Sequence, residues 1–116
     1  MESLPQEDLA RLSQIAYLPK DYLAWLAKKG WGEIGSARYV LYSSPIPLRE
    51  IQEGAPAHLW AFGDDFVGYC GCFSEKENQG VIEWESSSFS AVQTGRQVSE
   101  YIARYAQALL QCRRAG

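Results

Sequence analysis

The hydrophobic period of this chain changes twice, and those two changes limit its possible folds more than any other feature. From Leu9 to Ala27 the apolar residues recur at helical spacing. From about residue 38 to residue 85 they alternate or run in short β-rich blocks, and from Val98 they return to helical spacing. A segment that buries one face every 3.6 residues does not sit as a strand, and the reverse also holds. The order helix, helix, a run of strands, then helix is an α+β pattern with a mostly antiparallel sheet. With 116 residues the chain has the length of a single domain, 1–116, built on one core. Its 47% hydrophobic content, with four Trp, seven Tyr and four Phe, supplies enough apolar area for that core.

Local signals place the elements. The first helix is expected from residue 3 to about 17, with Ser3 and Gln6 as a capping box and Pro5 in the first turn. Leu18-Pro19 ends it, because a proline moves its predecessor out of the α region. A second helix is expected over about 19–29. Asp21 suits its first turn, Tyr22, Trp25 and Leu26 share a face, and Gly30 is the C-terminal cap. Residues 38–42 read as a buried strand, punctuated by Ser43-Ser44-Pro45-Ile46-Pro47, and 48–52 as one helical turn.

Further strands are expected over 59–62, 67–73 and 81–85. Gly68 and Gly71 inside the second of these suggest a bulge or close packing. In the third, Ile82 and Trp84 point one way, and Val81, Glu83 and Glu85 the other. Residues 86–95 read as a polar connector. Thr94 with Gln97 then offers a capping box for a last helix whose stripe is Val98, Tyr101, Ile102, Tyr105 and Leu109.

The same residues bear on location and chemistry. No apolar run approaches the roughly 18–20 residues that cross a bilayer. The acidic N-terminus is unlike a secretory signal, and three cysteines do not form a disulfide framework. A cytoplasmic location is the expectation. The net charge of −3 argues against direct nucleic-acid binding, which needs clustered cations. Charge is also unevenly spread: residues 59–92 carry six acids (Asp64, Asp65, Glu75, Glu77, Glu83 and Glu85) against Lys76 alone.

Catalytic constellations fare poorly. Cys70 and Cys72, two apart on a strand, suit a core better than a zinc site, with His58 and Cys112 distant in sequence. His58 has no Gly-x-Ser-x-Gly partner. Asp64, Asp65, Glu83 and Glu85 resemble turn and strand-surface residues more than a hydrolase pair, although a cleft joining Asp64 or Asp65 to Glu83 would revive that reading. The glycine clusters at Gly30-Trp31-Gly32 and 68–71 do not match phosphate-cradling loops. No catalytic residue, metal or cofactor is expected.

Four ordered motifs carry a resemblance. Leu18-Pro19-Lys20-Asp21-Tyr22-Leu23 with Leu26 and Lys29-Gly30-Trp31-Gly32, then Trp60-Ala61-Phe62-Gly63-Asp64-Asp65-Phe66-Val67-Gly68, then Val81-Ile82-Glu83-Trp84, then Val98-Ser99-Glu100-Tyr101-Ile102, resemble the SUKH superfamily over about residues 4–110. That superfamily includes fungal cell-wall-synthesis regulators and bacterial immunity proteins. Two positions depart from its pattern: Tyr69 stands where an acid commonly follows the central glycine, and Lys29 where an asparagine is usual.

The resemblance implies a five- or six-stranded antiparallel sheet flanked by helices. For bacterial members it implies neutralisation of a co-encoded toxin, often a nuclease, by protein–protein contact and without catalytic residues. The expected contact residues are Asp64, Asp65, Glu75, Glu77, Glu83 and Glu85, which could steer onto a basic toxin surface, with Trp31 and Tyr69 as aromatic anchors. The chain itself is expected to be a monomer or weak homodimer. An adaptor role toward another protein, or a small carboxylate-dependent hydrolase, are the alternatives.

Overall fold

The structure, a computed structural model, describes residues 3–15, 17–34, 39–76 and 80–103. Its fold is α+β. Helices α1 (Gln6–Ser13) and α2 (Lys20–Lys29) precede the strands β1 (Gly32–Glu33) and β2 (Val40–Pro47). The one-turn helix α3 (Leu48–Ile51) leads into β3 (Leu59–Asp64), β4 (Tyr69–Ser74), β5 (Ile82–Glu85) and β6 (Ser90–Gln93). A final helix, α4, is described over residues 98–103. The six strands form one antiparallel meander in sequence order, β1 to β6.

Residue alternation divides the core in two. On one face of the sheet Tyr39, Leu41, Phe62, Phe73 and Val81 pack against Leu12, Tyr22 and Leu26 of the N-terminal helices and Val98, Tyr101 and Ile102 of α4. Phe62 and Phe73 stack at 4.5 Å between centroids, and Tyr22 meets Phe73 edge-on at 4.9 Å, geometries that aromatic quadrupoles favour. On the other face Leu59, Ala61, Cys70, Cys72, Ile82 and Trp84 pack beneath Leu48 of α3 and Ala55. The cysteines are buried among apolar side chains, as their two-residue spacing on a strand requires.

Gly71 permits this packing. A Cβ there would lie 2.5 Å from the Tyr39 hydroxyl and 2.6 Å from the Phe62 ring, so only a bare backbone fits beneath those two rings. The expected irregularity lies across the hairpin in β3, where the register shifts between Ala61 and Gly63.

Several local expectations are corrected. Pro5 is the N-cap of α1, which has no side-chain capping bond, so the Ser3–Gln6 box does not form. Residues 43–47 do not end β2. The strand continues to Pro47 through a register shift between Leu41 and Ile46, which accommodates the prolines. The connector over 86–95 contains β6, paired with β5 in unbroken register. Thr94 does not open a capping box; its hydroxyl donates to the Val81 carbonyl at 2.8 Å. The backbone N–H of Ser99 in α4 instead donates to Asp21 of α2 at 2.9 Å. Tyr105, Leu109, Cys112 and Glu77 lie outside the described residues.

Candidate functional site

The β3–β4 and β5–β6 turns lie at the same end of the meander, and they are tied together. The Ser86 N–H donates to the Gly68 carbonyl at 2.8 Å. Both turns expose an aromatic side chain on a left-handed backbone: Phe66 with φ 61° and Phe89 with φ 54°. Bulky L-residues pay a steric penalty in that region, because Cβ crowds the following carbonyl. Exposure is nonetheless high, at 68% for Phe66, 79% for Val67 and 51% for Phe89.

Two aspartates hold the first turn in shape. The Phe66 N–H donates to Asp64 Oδ1 at 2.7 Å. The N–H groups of Val67 and Tyr69 donate to Asp65 Oδ1 at 2.9 and 3.0 Å. Short carboxylates bonding backbone N–H groups two and four residues ahead make a rigid loop. Asp65 is buried and spends an oxygen inside the loop, which removes it from the expected acidic surface. The tip it shapes presents apolar groups instead. Phe66, Val67 and Phe89 were not singled out in the sequence. The usable signal was an apolar residue set among turn formers, in Asp64-Asp65-Phe66-Val67-Gly68 and Ser86-Ser87-Ser88-Phe89-Ser90.

The remaining acids among the described residues do not form one patch. Register pairs Asp64 with Cys70, Tyr69 with Glu85, and Gly71 with Glu83. Because faces alternate, Asp64 lies on the α3 side, whereas Tyr69, Glu83 and Glu85 lie on the side covered by α1, α2 and α4. The sheet therefore separates Asp64 from Glu83, and the hydrolase pairing of those two does not form. Glu83 accepts a 2.6 Å hydrogen bond from the Tyr101 hydroxyl. It is half-buried at the margin of the helix layer, not on a bare solvent face.

Beside Glu83, Glu85 accepts from Ser87 at 2.8 Å. The carboxylates of Glu85 above all, with burial, Glu83 and Asp65, hold the Tyr69 phenol above its ordinary pKa. On the opposite face the Tyr42 hydroxyl donates to Asp64 Oδ2 at 3.4 Å. Burial first, and then the Asp64 charge, pushes the Cys70 thiol up to about 12; burial also raises Cys72. These are inert thiols, and among the described residues no group of three or more His, Cys, Asp or Glu side chains is arranged for a metal ion.

Glu75 stands at the far end of the β3–β4 hairpin. There it accepts a hydrogen bond from Trp60 Nε1, and Trp60 in turn packs on Tyr17 at 5.7 Å. His58 is also at that end, where its carbonyl accepts from the Glu75 N–H at 2.9 Å. Trp31 is half-buried against the helix-side core, which takes it out of the set of exposed anchors. Among the described contact residues, then, Tyr69, Glu83 and Glu85 share a face near the turn end of the sheet, with Asp64 near them across the sheet beside the Phe66 tip.

Compared with models of protein families, with curated proteins and with solved structures, the chain matches none. The chain is an α+β domain with a six-stranded antiparallel sheet. Among the described residues no helix is long and apolar enough to cross a membrane.

Proposed function

We propose that this chain is a protein-binding domain that uses the turn end of its sheet. The observation that carries this reading is the pair of exposed aromatics, Phe66 and Phe89, held at positive φ on two tied turns. A fold tolerates backbone strain at an exposed apolar tip when that tip has a use beyond stability. Phe66 and Val67 are the anchors. Asp64, Tyr69, Glu83 and Glu85 form a polar, acidic surround, the arrangement of a hot spot within a rim.

The partner this arrangement suits has an apolar recess within a basic surface. Together with the SUKH-like motifs, that chemistry supports an immunity protein acting in the cytoplasm, which binds a co-encoded toxin, such as a nuclease, and covers its basic substrate surface without catalysis. The carboxylates speed encounter, and the apolar tip slows dissociation.

The experiment is direct binding to the toxin encoded beside the gene, with growth rescue as the second readout. Phe66→Asn with Val67→Ser should raise Kd at least tenfold, mostly through the off-rate, and abolish rescue. Glu83→Gln with Glu85→Gln should slow association and flatten its salt dependence. Unchanged affinity in the tip variant would remove this surface from the interface. A neighbouring toxin that binds nothing, and kills despite the chain, would end the immunity reading.

A further inference from the structure

At the end of the β3–β4 hairpin away from Phe66, a tryptophan stands on the helix-covered side of the sheet but outside both cores. Trp60 is paired with Phe73 across the strands and shares its face, yet it is not among the half-buried side chains packed against either core. It rests instead on Tyr17, with ring centroids 5.7 Å apart and planes splayed by 36°, and its indole Nε1 donates to Glu75. Both rings are half-buried and Glu75 is exposed. Burial first, and then the Glu75 charge, raises the Tyr17 phenol, so the carboxylate acts on both aromatic groups. No lysine or arginine among the described residues makes an ion pair with Glu75.

We propose that Tyr17, Trp60 and Glu75 form a seat for an arginine side chain projecting from a protein partner. The charges select a cation. An ionised carboxylate offers about four lone-pair sites, and the indole N–H takes one of them. That N–H lies in the plane of its ring, so the bond holds the Glu75 carboxylate at the edge of Trp60. A group that pairs with the free carboxylate sites there lies close to the ring faces, whose π-electrons attract the same positive charge.

Shape selects arginine over lysine. A guanidinium is flat and weakly hydrated, so it stacks on an aromatic face while its fork of N–H groups reaches the carboxylate at the ring edge. An ammonium is a compact, strongly hydrated point charge that cannot do both. The exposure of Glu75 makes the seat open, unlike the enclosing cavities that hold free small molecules, and suits a side chain presented by another surface. β3 has six residues, which sets the seat roughly 20 Å from the Phe66 tip, within the span of one ordinary interface. That the arginine belongs to a protein rests on the protein-binding reading above; the preference of the seat for a guanidinium does not.

The four tryptophans give four indole N–H signals in a nitrogen–proton correlation spectrum of the full chain, and loss of one in Trp60→Phe assigns it. Titration with N-acetyl-arginine amide should shift the Trp60 signal saturably, with Kd in the millimolar range, and leave the other three in place. Glu75→Gln keeps an acceptor for the indole but removes the charge, and should weaken binding about tenfold with an unchanged urea midpoint. N-acetyl-lysine amide and tetramethylammonium should bind more weakly than the arginine amide, and an arginine flanked by glycines in a capped tripeptide should bind at least as well as free arginine. No saturable shift at Trp60, equal shifts of all four indoles, or unchanged affinity in Glu75→Gln overturns the seat. Equal or tighter binding of lysine or the quaternary ammonium overturns its preference for a guanidinium, and a marked preference for free arginine overturns the protein partner. None of these readouts involves the toxin or the Phe66 tip, so this proposal and the functional reading can fail separately.

Discussion

Asp21 and Ser99, far apart in the chain, are joined by two hydrogen bonds: the Ser99 N–H donates to Asp21 Oδ2 at 2.9 Å, and its hydroxyl to Asp21 Oδ1 at 3.1 Å. A residue in the first turn of α2 thereby takes up a free N–H in the first turn of α4. The bond replaces the local cap that Thr94 does not supply, and it locks the last helix onto the second across the helix layer. Asp21→Ala should cost about 1–2 kcal/mol, because it leaves that N–H unsatisfied in a half-buried place. Ser99→Ala keeps the backbone bond and should cost less, about 0.5–1 kcal/mol. Urea midpoints of the two variants check both values, and equal losses would show that the hydroxyl bond carries the effect.

Gly71→Ala should destabilise by about 1–3 kcal/mol, the usual range for forcing extra volume into a packed core. The new methyl would meet the Tyr39 hydroxyl and the Phe62 ring closer than any van der Waals contact allows. Thermal melting measures the loss. Tyr39→Phe in the Gly71→Ala background should recover part of it, since it removes one of the two colliding groups.

Phe66→Asn should make the protein more stable, by about 0.5–1 kcal/mol, although it deletes a large apolar side chain. Phe66 is 68% exposed and so contributes little burial, while asparagine tolerates its positive φ better. A rise in the urea midpoint with weaker partner binding would separate the two roles of this position. A fall in stability would mean that the ring packs onto the sheet end in solution.

Alkaline pH should destabilise the protein, because a thiol and a phenol keep their protons in the fold. The Cys70 thiol is raised from 9.0 to about 12 by burial and then by the Asp64 charge, and the Tyr17 phenol from 10.0 to about 12 by burial and then by Glu75. For groups raised in the folded state, the native chain holds protons that the unfolded chain has released. Their stabilisation is complete below about pH 9 and is lost between there and about pH 12. Denaturant midpoints measured from pH 8 upward should fall across that window. Peptide-resolved alkylation at pH 8 should leave Cys70 and Cys72 unlabelled in the native chain and label both in urea.

Much of the fold was legible because it is written in local period. The two apolar stripes before residue 30 became α1 and α2, although α1 stops at Ser13, short of the expected residue 17, and Cys70 and Cys72 turned inward together as neighbours two apart on one strand must. The conformation of Gly30 followed too: its φ of 82° places it where other residues are strained, at the end of α2. β6 was missed because Ser90-Ala91-Val92-Gln93 has little apolar pattern of its own, and it is a strand because the open edge of β5 pairs with its backbone.

The acidic middle of the chain marks most clearly the division between sequence and tertiary structure. Composition by itself determined that residues 59–92 carry six acids against a single lysine, and alternation determined that Glu83 and Glu85 share a face. Only the tertiary structure decided that Asp64 faces the other way, that Asp65 is consumed by its own turn, and that Glu75 stands at the opposite end of the hairpin. It also decided that Phe66 and Val67, between those acids in sequence, are what the surface presents. The physical reason is range. Which side of a strand a residue occupies is set by its nearest neighbours, whereas which residues share one surface is set by the register between strands, and register is settled only when the whole sheet and both of its cores assemble.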